Sequence, residues 1–194
     1  MTIQYADLRW TSADGLSLYA RDYRPTAPSD LLPVIAIHGL TRNSADFEII
    51  APLIAKLGRR VIALDVRGRG CSDRARDPMT YRPDVYARDV MALMEVLELE
   101  RAIFLGTSMG GIITMALAAL NPKAIHAAIL NDVGPELAIE GLSRIAAYTG
   151  QSVSITNWDD ATAYAQRINA AAFPHYKDHD WQAFAKRLFV EGED

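Results

Sequence analysis

Gly106-Thr107-Ser108-Met109-Gly110 constrains this chain more than any other stretch, because of what flanks it. The apolar run Ala102-Ile103-Phe104-Leu105 reads as a buried strand, and Gly111-Ile112-Ile113-Thr114-Met115-Ala116-Leu117 reads as a helix. A Gly-x-Ser-x-Gly at a strand-to-helix turn lifts a serine hydroxyl clear of the sheet, and its glycines relieve collisions that a β-carbon would make with neighbouring backbone. A helix that starts just after the serine supplies backbone N–H groups and the positive end of a dipole, both suited to a developing oxyanion.

The stretches around it repeat one alternation. Residues 3–10 and 16–24 read as two strands joined through Asp14-Gly15, a hairpin signal. After a proline-rich connector, Val34-Ile35-Ala36-Ile37 and Val61-Ile62-Ala63-Leu64 are short all-apolar runs, as fully buried parallel strands would be. Between them Ser44 caps a helix expected to run to Leu57, with Gly58 at its stop. Pro83 opens a helix to about Glu98 with Val85, Val90, Leu93, Met94 and Leu97 on one face. The helix after Ser108 is apolar on nearly all sides, which predicts burial on nearly all sides, and Asn121-Pro122 ends it. Ile125 to Asn131 gives one more strand. The fold class is α/β, a mostly parallel sheet with flanking helices.

Residues 136–194 differ in texture from residues 1–135. They contain no convincing strand and read as three helices, at about 140–149, 157–172 and 179–190. Thr156 with Asp159 resembles a capping box. Aromatics concentrate here, from Tyr148 and Trp158 to Phe184 and Phe189, either to cover an apolar pocket or simply to pack the segment.

The remaining features exclude more than they assign. A net charge of −4 without a basic stripe argues against nucleic acid. The lone Cys71 fits a reducing compartment, and the N-terminus lacks the pattern of a signal peptide. With no apolar run of membrane-spanning length, a cytoplasmic protein without membrane partners is expected. Gly68-Arg69-Gly70 lacks the third glycine of a dinucleotide fingerprint, and His175 and His179 are separated by polar residues after Pro174. No cofactor and no metal is expected. Asp65 and Arg67 read as a structural pair shaping their loop.

Three motifs in order carry a family resemblance: His38-Gly39-Leu40-Thr41 after a strand, Asp65-Val66-Arg67-Gly68-Arg69-Gly70-Cys71-Ser72-Asp73 after the next, and Gly106 to Gly110. The chain resembles the α/β-hydrolase superfamily, and in particular its compact esterase, lactonase and haloperoxidase-like members with a helical cap. The resemblance implies an α/β-hydrolase core over 1–135 and a cap or lid over 136–194. It makes Ser108 the nucleophile, the backbone N–H groups of Leu40 and Met109 the oxyanion hole, and Gly39, Tyr148 and Trp158 residues of the substrate pocket. Serine at position 108 narrows the chemistry to acyl transfer on small, largely apolar esters, lactones or related carbonyl compounds, since dehalogenases and epoxide hydrolases of this family carry aspartate there.

The family's catalytic histidine and usual acid follow the last two strands, beyond the cap. Here Asp132, at a strand end, is the candidate acid, and none of His126, His175 and His179 is well placed as the base. The expectation is a chain lacking the last two strands and inactive by itself, with Ala127-Ala128-Ile129-Leu130 at an uncovered sheet edge through which it would dimerise or aggregate. The alternative is a non-catalytic small-molecule-binding protein that keeps the scaffold.

Overall fold

The apolar runs pair as strands because each has two faces to bury. In the computed structural model, which describes residues 4–136, 139–150 and 153–192, β1 (Tyr5–Thr11) and β2 (Ser17–Tyr23) form an antiparallel hairpin. β3 (Val34–Ile37) leads through a single 3₁₀ turn, Ser44–Phe47, to α1 (Ile50–Lys56). β4 (Val61–Asp65), α2 (Pro83–Val96), β5 (Ala102–Thr107), α3 (Met109–Leu120) and β6 (Ile125–Asn131) follow. The six strands make one sheet in the order β1-β2-β4-β3-β5-β6. β2 pairs antiparallel with β4, and β4, β3, β5 and β6 run parallel.

Side chains alternate between two cores. Ile35 and Ile37 of β3 and Ile62 and Leu64 of β4 face Val90, Leu93 and Met94 of α2 and Ile113 and Leu117 of α3. Val34, Ala36, Val61 and Ala63 face the other way, against Phe47 and the α1 residues Ala51 and Ala55. The central strands β3 and β4 are therefore buried on both sides, as their unbroken apolar composition requires.

Three local expectations are corrected. The helix expected from Ser44 to Leu57 is broken: Asn43, not Ser44, caps the 3₁₀ turn by accepting from the Ala45 N–H, and α1 begins only at Ile50. The last turn of α3, Ala118 to Leu120, is exposed, so an all-apolar helix is not buried on every side here. Asp65 and Arg67 do not pair with each other. The Asp65 carboxylate accepts from the Ser44 and Cys71 N–H groups at 2.6 and 2.8 Å, folding two loops around itself.

Arg67 instead joins three distant segments. Its guanidinium, with a side chain 1% exposed, bonds Asp89 of α2 at 2.7 and 2.6 Å and Asp14 of the hairpin turn at 2.8 and 3.0 Å. Trp10 adds an indole N–H to the Asp89 carbonyl at 2.9 Å.

The chain divides into two compact units, Met1–Pro135 and Glu136–Asp194. The second contains α4 (Ile139–Tyr148), α5 (Trp158–Asn169) and α6 (Asp178–Leu188). Asn157 caps α5, and Thr156 pairs with Asp160 rather than Asp159, at 2.7 Å. Its core is aromatic: the Phe173, Tyr176, Trp181 and Phe184 rings meet one another at centroid separations of 4.7–6.3 Å, against Ala161 and Ala165. No described helix is long and apolar enough to cross a membrane.

Removing one partner of a buried ion pair strands the other charge. Arg67→Met should lower unfolding free energy by about 3 kcal/mol or more, read by urea denaturation at neutral pH. Its bond to Arg67 holds the Asp14 carboxyl down at about 2, against an ordinary 3.8. That contribution is full above pH 3.8 and lost as pH falls through about 2, so the variant should also show a flatter acid limb there.

Candidate functional site

The site forms where the parallel strands end. β5 finishes at Thr107, and Ser108, half-buried, caps α3 at φ 50°, ψ −113°, a backbone conformation that L-residues rarely adopt. Packing forces it there. A β-carbon on Gly106 would stand 2.5 Å from the Gly110 carbonyl oxygen, and one on Gly110 would collide with the Ile37 carbonyl of β3. The first turn of α3 thus rests directly on the sheet, and the chain reverses through Ser108. The turn is fixed on its other side by β6, whose Asn131 carbonyl accepts the Ser108 N–H at 2.9 Å.

Gly39 brings the loop after β3 against the serine. A β-carbon at Gly39 would lie 3.7 Å from the Ser108 β-carbon and 3.6 Å from the Arg42 side chain. The Gly39–Leu40 peptide is clamped by its carbonyl, which lies 2.7 Å from His38 Nδ1. The tautomer follows from the other ring nitrogen: Nε2 accepts the Val66 N–H at 3.1 Å, so Nδ1 carries the proton and donates to Gly39. In a trans peptide the Leu40 N–H points opposite to that carbonyl. Among the described residues, neither the Leu40 nor the Met109 N–H donates to another protein group. Arg69 fixes the next peptide by donating to the Leu40 carbonyl at 2.8 Å. His38 is fully buried, and loss of hydration pushes its pKa below the ordinary 6.5. It is therefore a neutral clamp.

Asp132 follows β6 directly, exposed and at φ 56°, next to the residue whose carbonyl holds Ser108. The structure gives it no histidine partner among the described residues. His126 sits at the opposite end of β6, roughly 16 Å from Asn131 at strand rise. Both nitrogens of His38 are engaged, and His175 and His179 belong to the second unit. Ser108 Oγ makes no hydrogen bond among the described residues, and no cluster there could hold a metal ion. Within the second unit, the Trp158 indole N–H donates to Glu191 at 2.8 Å and the ring packs on the aromatic core. The Tyr148 side chain lies outside the described residues.

A parallel sheet with a strained serine on the turn after β5 and a clamped glycine loop after β3 is the architecture of an α/β hydrolase. The chain matches the alpha/beta hydrolase fold family over residues 33–189 and belongs to it. It is 35% identical over 169 residues to a 3-hydroxybutyrate-oligomer hydrolase of Cupriavidus necator, covering 86% of this chain and 57% of that protein. A non-heme chloroperoxidase of Streptomyces lividans is 34% identical, over 67% of this chain and 46% of its own. A crystal structure of an alpha/beta hydrolase from Novosphingobium aromaticivorans superposes with a TM-score of 0.89 at 43% identity, covering 99% of this chain and 66% of that one. The chain thus spans little more than half the length of that curated relative.

A buried neutral histidine makes the folded state bind fewer protons than the unfolded chain. Its contribution is full above pH 6.5 and lost as pH falls through the depressed folded value. The stability gap between the natural protein and His38→Leu should therefore narrow from about pH 7.5 to pH 5, as thermal unfolding would show. An unchanged gap would remove His38 from this role.

Proposed function

We propose that this chain carries the nucleophile and oxyanion-binding half of a serine hydrolase acting by acyl transfer on small esters, lactones or related carbonyl compounds. The observation that carries the reading is Ser108 at its strained position, beside Gly39 and at the start of α3. In this reading Ser108 Oγ attacks the substrate carbonyl carbon while a base takes its proton. The carbonyl oxygen becomes an oxyanion held by the Leu40 and Met109 N–H groups, and the ester C–O bond then breaks as the leaving oxygen receives the proton. Water releases the acid from Ser108 by the same path in reverse. Clamping of the Gly39–Leu40 peptide by His38 supports the reading, since a pre-aimed donor needs no reorganisation when charge develops.

The base is not among the described residues of the first unit. It would come from residues 136–194 or from chain outside the present sequence, with Asp132 the candidate acid to orient it. The Cupriavidus relative is named for hydrolysis of hydroxybutyrate oligomers, which are short aliphatic esters, and this favours esters among the carbonyl substrates. Residues 136–194 are proposed as the cap, with Gly39, Trp158 and Tyr148 as pocket residues. The second reading, a binding protein that keeps the scaffold, is favoured by the lack of a histidine partner for Ser108 or Asp132 among the described residues of the first unit.

A fluorophosphonate probe should label the full-length protein at Ser108, mapped by mass spectrometry, and Ser108→Ala should abolish labelling. Short-chain ester hydrolysis should fall by about 10³-fold or more in the same variant. Labelling that survives the substitution would remove Ser108 from the nucleophile's role.

A further inference from the structure

Gly68 and Gly70 take positive φ values of 73° and 51°, so the chain doubles back on either side of Arg69. A β-carbon at Gly68 would stand 2.6 Å from the Tyr81 ring, and one at Gly70 would collide with the Asp65 carboxylate. The Arg69 backbone is held as well. Its N–H donates to the Val66 carbonyl at 2.9 Å, and its carbonyl accepts the Ser72 N–H at 3.0 Å. From this fixed base the half-buried side chain donates through Nε to the Leu40 carbonyl at 2.8 Å and through Nη1 to the Gly68 carbonyl at 3.2 Å. Backbone carbonyls, not carboxylates, are its partners among the described residues.

Leu40 is thereby gripped on both sides. His38 Nδ1 and the Arg42 N–H, at 2.7 and 3.2 Å, hold the Gly39 carbonyl and with it the Gly39–Leu40 peptide. Arg69 holds the Leu40–Thr41 peptide. Both grips are mounted on Val66, whose N–H goes to His38 Nε2 at 3.1 Å and whose carbonyl takes the Arg69 N–H. Peptide planes are rigid, so the soft torsions between the two holds are φ and ψ of Leu40. With the Arg69 hold removed, the loop is left to tilt about the first one, because Leu40 is only half-buried and Thr41 is exposed.

We propose that Arg69 is a positioning residue of the oxyanion hole, aiming the Leu40 N–H by way of the Leu40 carbonyl. The inference rests on the reading of Ser108 as nucleophile and Leu40 as an oxyanion donor. Arg69 acts through Leu40 when charge develops on the substrate oxygen, so its loss falls on kcat rather than on substrate affinity. The hydrogen bond carries the effect, not the charge, and side-chain geometry separates the two. Glutamine at this position places its amide nitrogen where arginine has Nε, and can still donate to the Leu40 carbonyl. Lysine keeps the charge but has a methylene there, and its ammonium overshoots.

Steady-state hydrolysis of p-nitrophenyl butyrate by the full-length protein tests this. Phenylboronic acid, which forms a tetrahedral anionic adduct on a serine hydroxyl, is the second probe. Arg69→Met and Arg69→Lys should each lower kcat by about tenfold or more, with KM within about twofold, and weaken boronate binding by a similar factor. Arg69→Gln should stay within about threefold of the natural protein in both measurements. Thermal unfolding identifies any variant that fails to fold, and Arg69→Lys decides where Arg69→Met does not fold. Unchanged kcat in Arg69→Lys would overturn the proposal, as would loss of kcat in Arg69→Gln or a rise in KM with kcat unchanged. Hydrolysis that survives Ser108→Ala would remove the nucleophile reading and this role with it. Hydrolysis lost in Ser108→Ala but unchanged in Arg69→Met would remove Arg69 alone.

Discussion

The first turn of α3 lies directly on the sheet, and much of the site geometry depends on that contact. Gly110 touches the Ile37 carbonyl of β3, and Gly106 passes beneath Gly110 and Gly111, so no side chain fits at either position. With the helix start pinned so close, the chain can leave β5 only through a sharp reversal, and Ser108 takes up the strain as a positive φ. The same contact sets the α3 N-terminus and its unpaired N–H groups beside the serine. Strain in one residue is thus maintained by packing of its neighbours, which is how a fold keeps an unfavourable conformation in place.

Around that turn the loops are held by buried polar groups rather than by apolar packing. His38 ties the Gly39–Leu40 peptide to Val66 through its two ring nitrogens, and Asp65 gathers the Ser44 and Cys71 amides. Arg67, two residues on from Asp65, anchors the next segment to the hairpin and to α2. These three residues follow or end β3 and β4, where backbone leaves the sheet and its amides need new partners. They fix the site's approach from the β4 side. The β5 and β6 side is fixed instead by the Ser108–Asn131 hydrogen bond.

What could be read from the sequence was what is determined locally. The elbow was legible because its glycines, its apolar strand and its apolar helix are contiguous, and β4, β6 and α3 ended within a residue of expectation. The arrangement about Arg67 was not, since residues 14, 67 and 89 meet only through the tertiary fold, and Asp89 lies on an otherwise apolar helix face. The helix expected from Ser44 broke before Ile50 because Pro52 would lie in its interior, with no N–H for the Glu48 carbonyl and its ring crowding that group, whereas at the third position of α1 neither matters. At the site, Ser108 and Gly39 could be named and are adjacent, whereas the His38 clamp depends on Val66, a partner that sequence spacing does not reveal.

The two edges of the sheet are built differently. β1 meets solvent with tyrosines, Asp7 and Arg9 interleaved across the pair, polar side chains of the kind that discourage another strand from adding. β6 has no such protection: Ala127 to Leu130 are exposed, Ile129 at 57% and Leu130 at 41%, beside the exposed last turn of α3. An apolar edge of this kind is stable only under a cover, and the longer relatives have further chain with which to make one. Because β6 also holds the Ser108 amide, whatever covers that edge would stiffen the elbow as well as hide apolar surface. Covering that edge and holding the nucleophile's backbone both act through β6.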